Sequence, residues 1–384
     1  MNKILIDVTR LLIRLMQEHI PTGVDRICLA YVRQYGKSAR AVLHRGRFSG
    51  VLSRRASQEL FSLLLEPGDN FCRSAVGLIA KSLPMLLPKH KSAGRFLFNV
   101  GHSGLERPRY AQWLVRKKVR PIIMVHDLIP ITHPEFCRCG EDMRHAARMK
   151  NVLKTAAGVV TNSQSTLEAL SRFAALSGCA MPPAVAALPG GGILPQPPGP
   201  RPLAEPYFVM LGTIEPRKNH WMVLQVWRHL IELHGPAAPR LVVIGQRGWE
   251  CENVVDLLER SSLLRGFVLE RSDCSDAEIV TYLQHAQALL FPSFAEGCGL
   301  PVIEALNLGV PVIASSLPVF LEIAGHVPEY LDPMDGKGWL ARIEDYRLPD
   351  NPRRAEQLQR MLKFNPPTWQ THFQAVEHML EKLQ

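Results

Sequence analysis

Residues 291–313 read FPSFAEGCGLPVIEALNLGVPVI, and the fold is read outward from this run. An apolar, strand-like piece ends in a glycine-bearing turn. A proline then opens a helix-forming stretch, and a second apolar piece follows. Proline costs nothing at the first helical position, because that N–H has no partner inside the helix. The free N–H groups and the positive end of the helix dipole face the turn and make an anion site. Glu296 sits in the turn, and Glu304 is expected in the first helical turn, where a carboxylate also steadies the dipole.

The same pattern repeats along the chain. The apolar runs KILIDVT, RFLFNVG, PIIMVHDL, AGVVTNS, PYFVMLGTI, RLVVIGQ, ALLFPS and GVPVIAS alternate with stretches of helical periodicity such as TLEALSRFAAL and HWMVLQVWRHLIELH. Runs this apolar suit strands buried on both faces of a parallel sheet. Alternating β and α units predict an α/β protein with doubly wound sheets and right-handed crossovers. The Pro- and Gly-rich segment 189–206, PGGGILPQPPGPRPLAEP, reads as a linker between halves of similar size. The expectation is two Rossmann-like domains, 1–195 and 196–365, facing across a cleft. A C-terminal helix over 366–384 is expected to cross back to the first domain.

Composition narrows the functional classes. The chain has 384 residues, with 46% hydrophobic and 21% charged, as in an ordinary globular protein. No run of about 18 uncharged apolar residues marks a membrane span. The opening MNKILIDVTRLLIRLM is broken by Asp7, Arg10 and Arg14 and reads as a strand and helix rather than a signal peptide. The eight cysteines are scattered without zinc spacing and read as free thiols of a reducing cytosol. Residues 1–200 hold 28 Lys and Arg against 12 Asp and Glu, whereas residues 201–384 hold 17 against 23. No nucleic-acid fold signature accompanies the basic half, so an anionic membrane surface is the expected partner and nucleic acid is not. The stretch 71–95, with Arg73, Lys81, Lys89, Lys91 and Arg95 around apolar residues, reads either as an interfacial helix or as a core helix with a basic edge.

The second informative segment is GTIEPRKNH, residues 212–220. Gly212 turns the chain off the strand YFVML, and Arg217 beside Lys218 suits a diphosphate: arginine forks two oxygens and lysine acts as a point charge. Paired with the opening run, it describes a site for phosphate flanked by carboxylates that grip hydroxyls, as a nucleotide sugar requires. GTIEPRKN and FPSFAEGCGLPVIEALNLGVPVIAS together resemble the donor-domain motifs of the retaining glycosyltransferases of family 4, which have the GT-B fold. IDVTR, TGVDRI and VHDLIPITHPEF resemble the N-terminal domain of bacterial members that build capsule, O-antigen or exopolysaccharide.

That resemblance implies the following roles. Glu296 binds hydroxyls of the donor sugar, and Glu304 those of the ribose. Backbone N–H groups of Cys298, Gly299 and Leu300 face sugar and phosphate, although the family usually has an aromatic where Cys298 stands. Arg217 and Lys218 hold the diphosphate and stabilise the charge that grows on it. His126 lines the donor sugar, Asp127 holds its loop, and His133 meets the acceptor. Gly23, in Thr22-Gly23-Val24, is what remains of a double-glycine loop that approaches the donor phosphates. Trp249 lies near the base or packs in the core, and Asp276 reads as a helix N-cap. The implied reaction is a metal-independent, retaining hexosyl transfer with no cofactor, from a nucleotide sugar to a lipid-linked saccharide. The motifs look most like those of mannosyltransferases that use GDP-mannose; the alternatives are a UDP-hexose-dependent transferase of the same fold and a non-catalytic GT-B sugar-binding subunit. The expected location is the cytoplasmic face of the inner membrane.

Overall fold

The computed structural model describes residues 4–19, 21–45, 48–82, 94–192, 197, 199–348 and 350–384. The chain divides into two compact units. The first comprises 1–128, 142–189 and 369–384, and the second comprises 129–141 and 190–368. The boundary expected at 195–196 falls outside the described residues.

In the first unit, seven strands among the described residues are ordered β3-β2-β1-β4-β5-β6-β7. They are β1 (Ile4–Asp7), β2 (Arg40–Arg45), β3 (Phe48–Val51), β4 (Phe96–Asn99), β5 (Arg120–Val125), β6 (Gly158–Thr161) and β7 (Ala184–Ala186). All neighbours are parallel except β2 and β3, which form an antiparallel pair. Four of the expected apolar runs are β1, β4, β5 and β6, with registers such as Leu5 opposite Leu97 and Phe98 opposite Ile122. These central strands are buried on both faces, which is why their sequences lack alternation.

The second unit holds six parallel strands ordered β10-β9-β8-β11-β12-β13 among the described residues. They are β8 (Tyr207–Leu211), β9 (Arg240–Ile244), β10 (Val268–Arg271), β11 (Leu289–Phe291), β12 (Val312–Ser315) and β13 (Glu329–Leu331). The helix His220–His234 covers one face. Its buried Val223, Leu224, Trp227, Leu230 and Ile231 fall on one stripe, with Trp227 meeting Phe208 at 5.8 Å. Both sheets are therefore α/β and Rossmann-like, as the apolar runs predict. Each reverses strand order once, between β1 and β4 and between β8 and β11, and ligands of such sheets sit at the carboxyl ends of the strands at that reversal.

Helix Trp369–Lys382 packs in the first unit, with Phe373, Val376, Met379 and Leu380 in its core. Its His372 donates Nδ1–H to the Ala187 carbonyl at 3.0 Å and accepts the Tyr31 hydroxyl on Nε2 at 3.0 Å. Of the stretch 71–95, helix Phe71–Ser82 buries Phe71, Ala75 and Leu78 in the same core, so its apolar face serves packing. Arg73 and Lys81 form the exposed edge. Residues 83–93, with Lys89 and Lys91, lie outside the described residues. Asp276 is not the N-cap: Ser275 precedes the helix and its hydroxyl accepts from the Glu278 amide.

Candidate active site

The turns that leave β8 and β11 bring Arg217, Lys218 and Glu296 together. Lys218 Nζ lies 2.5 Å from Glu296 Oε1, and Arg217 Nη1 lies 2.7 Å from Glu296 Oε2. Arg217 also forms an ion pair with Glu215 at 2.6 Å and donates to the Ala295 carbonyl at 2.9 Å. The Ser293 hydroxyl completes the cluster by donating to Glu296 at 2.8 Å. Two cations thus balance two carboxylates in a nearly dry setting. Burial opposes the charge on Glu296, but Arg217 and Lys218 outweigh it and hold the carboxyl down at about 2. Burial lowers Lys218, with Glu296 acting against it. Burial raises Glu215, partly offset by Arg217 and Lys218.

Local backbone explains how the cluster is held. Gly212 has φ +141°, and a Cβ there would lie 3.3 Å from Lys218 Cε. Gly245, at the end of β9, packs so closely that a Cβ would meet the Gly212 oxygen at 2.0 Å. The Phe294 amide donates to the Arg217 carbonyl at 2.8 Å, which ties the two turns together. Lys218 Nζ also sits 4.4 Å from the centre of the Phe291 ring.

Glu304 is separate from this cluster. The helix runs Leu300–Asn307 with Pro301 in its first turn, so Glu304 falls in the second turn rather than the first. The dipole account of this residue therefore loses its premise, because the dipole acts within the first turn. Glu304 is buried and accepts the Gly192 amide at 3.1 Å. Gly299 precedes the helix with φ +99°, and a Cβ would meet Phe320 at 2.7 Å. The amides of Cys298, Gly299 and Leu300 lie at the helix start, where N–H groups have no partner inside the helix. The Cys298 side chain is buried, and burial pushes its thiol up. Segment 129–141 packs in this unit: Phe136 stacks on Phe294 at 5.0 Å, His133 stacks on Phe136 at 6.1 Å, and Trp249 donates to the Phe136 carbonyl at 3.2 Å.

The remaining expected residues belong to the first unit. His126 is buried just past β5 and donates Nε2–H to the Val100 carbonyl at 2.6 Å. Burial lowers its pKa, so the ring is neutral and Nδ1 keeps a lone pair that can accept a hydroxyl. The Asp127 carbonyl accepts from His145 at 3.2 Å. Gly23 opens the helix Gly23–Tyr35, downstream of a complete helix, Thr9–Met16, that follows β1. It is not among the residues with positive φ.

Sequence reasoning gave no role to Glu215, Ser293, Asp7 or Asn99. Asp7 accepts the Thr9 amide at 3.0 Å and the Tyr110 hydroxyl at 3.0 Å, and lies 3.3 Å from His44 Nε2. Asn99 donates to the Ser103 carbonyl at 2.8 Å. The signal that marks such residues is a polar side chain at or just after the end of an apolar run, as in ILID, FLFN and LLFPS.

Comparison with known proteins bears on the second unit most directly. Residues 196–333 match the family described as "Glycosyl transferases group 1". Both the Arg217–Lys218–Glu296 cluster and Glu304 lie inside that span. The chain is 31% identical over 191 residues to the serotype-specific mannosyltransferase WbdA of Escherichia coli, a match that covers 47% of this chain and 21% of that protein. It is 33% identical over 129 residues to the O-antigen chain mannosyltransferase B of Escherichia coli, covering 34% of this chain and 33% of the relative. The chain thus spans about a fifth to a third of the length of these relatives. Its fold is similar over the full length of both chains to Anabaena Alr3699/HepE in complex with UDP, with a TM-score of 0.67 and 14% identity.

Proposed function

We propose that the protein is a retaining glycosyltransferase that moves a hexose, mannose from GDP-mannose, to a lipid-linked saccharide in surface-polysaccharide assembly. The observation that carries the reading is the buried Arg217–Lys218–Glu296 cluster inside the span that matches the glycosyl transferase family. A donor diphosphate would enter by exchange of partners. Lys218 and Arg217 would turn from Glu296 to phosphate oxygens, and the freed Glu296 would accept sugar hydroxyls. Glu215 would stay on Arg217 and keep the guanidinium aimed. The amides of Cys298, Gly299 and Leu300 add donors at the helix start.

In this mechanism the leaving diphosphate departs and the acceptor hydroxyl attacks on the same face. The transition state is oxocarbenium-like, and the leaving phosphate takes the acceptor proton. The growing negative charge is met by Arg217 and Lys218 in a preorganised site, which supplies the catalysis. These two cations do what a metal would do elsewhere, so the proposal calls for none. Glu304 would hold the ribose, neutral His126 would accept a hydrogen bond from sugar or acceptor, and His133 would meet the acceptor. The basic excess of residues 1–200 supports work at the cytoplasmic face of an anionic membrane.

A thermal-shift panel of nucleotides and nucleotide sugars, followed by transfer assays, tests the reading. GDP and GDP-mannose are expected to stabilise the protein and GDP-mannose to be consumed. Stabilisation and turnover with UDP-glucose alone would replace the donor, and silence from every nucleotide sugar would remove the function. Membrane association is checked by vesicle flotation: binding to anionic vesicles should fall as salt rises. Salt-independent binding would point to apolar insertion.

A further inference from the structure

The carboxyl edge of the first sheet carries a cavity of 1240 Å³ that the Arg217–Lys218–Glu296 cluster does not use. It lies beside the reversal between β1 and β4, the address at which such sheets take ligands. Four chain segments wall it: helix Thr9–Met16, His44 of β2, the loop and helix around 101–112, and helix Glu141–Thr155. Six arginines line it, namely Arg10, Arg14, Arg107, Arg109, Arg144 and Arg148, and Glu106 is the one carboxylate among the described lining residues. Behind the wall, buried Asp25 takes both Arg14 at 2.8 Å and Arg10 at 3.2 Å. Glu106 lies 3.5 Å from Arg107 and 3.8 Å from Arg148. Cations outnumber anions along a concave surface, and such a surface focuses its field on an incoming anion.

The floor is built rather than accidental. A Cβ on Gly101 would lie 3.1 Å from both Cβ and Cδ of Arg10, so the loop is pressed against that arginine. Gly104 has φ +68°, and a Cβ there would meet His44 Cε1 at 2.5 Å. Asp7 holds His44 and Tyr110 beneath the loop, and the Ser103 hydroxyl accepts the Arg10 amide at 3.1 Å. Guanidinium forks match phosphate oxygens in geometry and in charge. The volume exceeds the roughly 300–1,000 Å³ of ordinary small-molecule sites, which leaves room for sugar beside the phosphate.

We propose that this cavity binds a phosphate or diphosphate group carried by the acceptor, so that the enzyme takes sugar phosphates or sugar diphosphates in preference to neutral saccharides. The assignment rests on the transferase reading above. It adds that the acceptor is recognised through its anion, in the first unit, apart from the donor diphosphate.

The test uses the full chain and the double variant Arg109→Gln/Arg144→Gln, whose two side chains are exposed at the rim. An unchanged melting temperature would show that the variant folds. Inorganic pyrophosphate is titrated by phosphorus NMR with GDP saturating. Binding to the parent protein and its weakening by about tenfold or more in the variant support the site, since charge-assisted bonds are lost. No binding, or equal binding in both proteins, overturns it. Two synthetic acceptors then separate the sources of the anion: an alkyl-diphosphate-linked mannose and the neutral alkyl mannoside. The KM of the first is expected to rise about tenfold in the variant while the neutral acceptor and the donor keep theirs. Equal losses on both acceptors, or pyrophosphate binding without any preference between them, would overturn the acceptor assignment. If no nucleotide sugar is consumed, the transferase reading fails, and the pyrophosphate titration still decides the anion site.

Discussion

The two strand reversals occupy the same topological address and carry opposite electrostatic designs. At β8/β11, Arg217 and Lys218 are drawn onto Glu296 and Glu215, and the cluster is compact, buried and balanced. At β1/β4, arginines spread along an open wall with Glu106 as the one lining carboxylate among the described residues. A balanced buried cluster can change partners without ever exposing a bare charge to a dry interior, which suits bonds that must be released within one turnover. Lining arginines that outnumber the lining carboxylate suit capture and orientation of an anion. The difference teaches that one fold, used twice, can arrange its cations in two ways: gathered on Glu296 and Glu215 at β8/β11, and strung along a cavity wall on Asp25 and Glu106 at β1/β4.

The sharpest way to break this contrast is Lys218→Ala. It should lower transfer by about 10²–10³-fold, the range for losing one preorganised charge donor. Arginine variants of the first unit should cost far less. Unchanged polysaccharide synthesis in cells carrying Lys218→Ala would end the claim that the second unit is the reaction centre.

Next come the glycines that hold each edge together. Gly299→Ala and Gly104→Ala each force a side chain into a positive-φ position against a ring, at 2.7 Å and 2.5 Å. Each is expected to lose about 2 kcal/mol or more in urea unfolding. A neutral result at either position would mean that its edge is softer than its packing implies.

Glu304→Ala should raise the donor KM by on the order of tenfold with a smaller effect on kcat, the pattern of lost ground-state binding. A fall in kcat with KM preserved would move Glu304 into the reacting set.

The smallest effect is on the pH dependence of stability. Glu296 is held down at about 2 against an ordinary 4.5, so its contribution is complete above pH 4.5 and disappears as pH falls toward 2. For His44, burial opposes the charge, yet the hydrogen bond and charge of Asp7 raise it above the ordinary 6.5. Its contribution is complete below pH 6.5 and is lost as pH rises through the raised value. Urea midpoints against pH should therefore change on the acid limb for Glu296→Gln and on the alkaline limb for His44→Gln. Changes on the opposite limbs would reverse the two electrostatic assignments.

Much of the fold was legible because the central strands are dry on both faces. VVT in β6 and LLF in β11 carry that burial in their composition. The strands that escaped notice are edge elements or members of the antiparallel β2–β3 pair. β7, β10 and β13 are only half-buried along their length, so their residues are mixed and carry no continuous apolar signal. In the site, Arg217, Lys218 and Glu296 were readable because their motifs carry charge next to glycine turns. Their mutual pairing was not, since 78 residues separate Lys218 from Glu296 and only the sheet brings them together. Glu304 was misplaced by one turn because helix entry begins at Leu300, ahead of Glu304 by more than a turn. The arginine wall was invisible for the same reason as the pairing: its residues come from three distant segments, and each reads alone as a solvated charge.

The last helix has a consequence for how the protein is made. The first unit is assembled from 1–128, 142–189 and 369–384, and the chain passes between units at 128–129, 141–142, 189–190 and 368–369. On a ribosome, the second unit has all its residues once 368 has emerged. The first, although begun earlier, still lacks Phe373, Val376, Met379 and Leu380 from its core. Until they arrive, Tyr31 and Tyr35 lack the Phe373 ring they pack against, and the Tyr31 hydroxyl and the Ala187 carbonyl lack their His372 partner. Order of synthesis and order of completion therefore run in opposite directions, and the nascent arginine-rich unit is the one that waits.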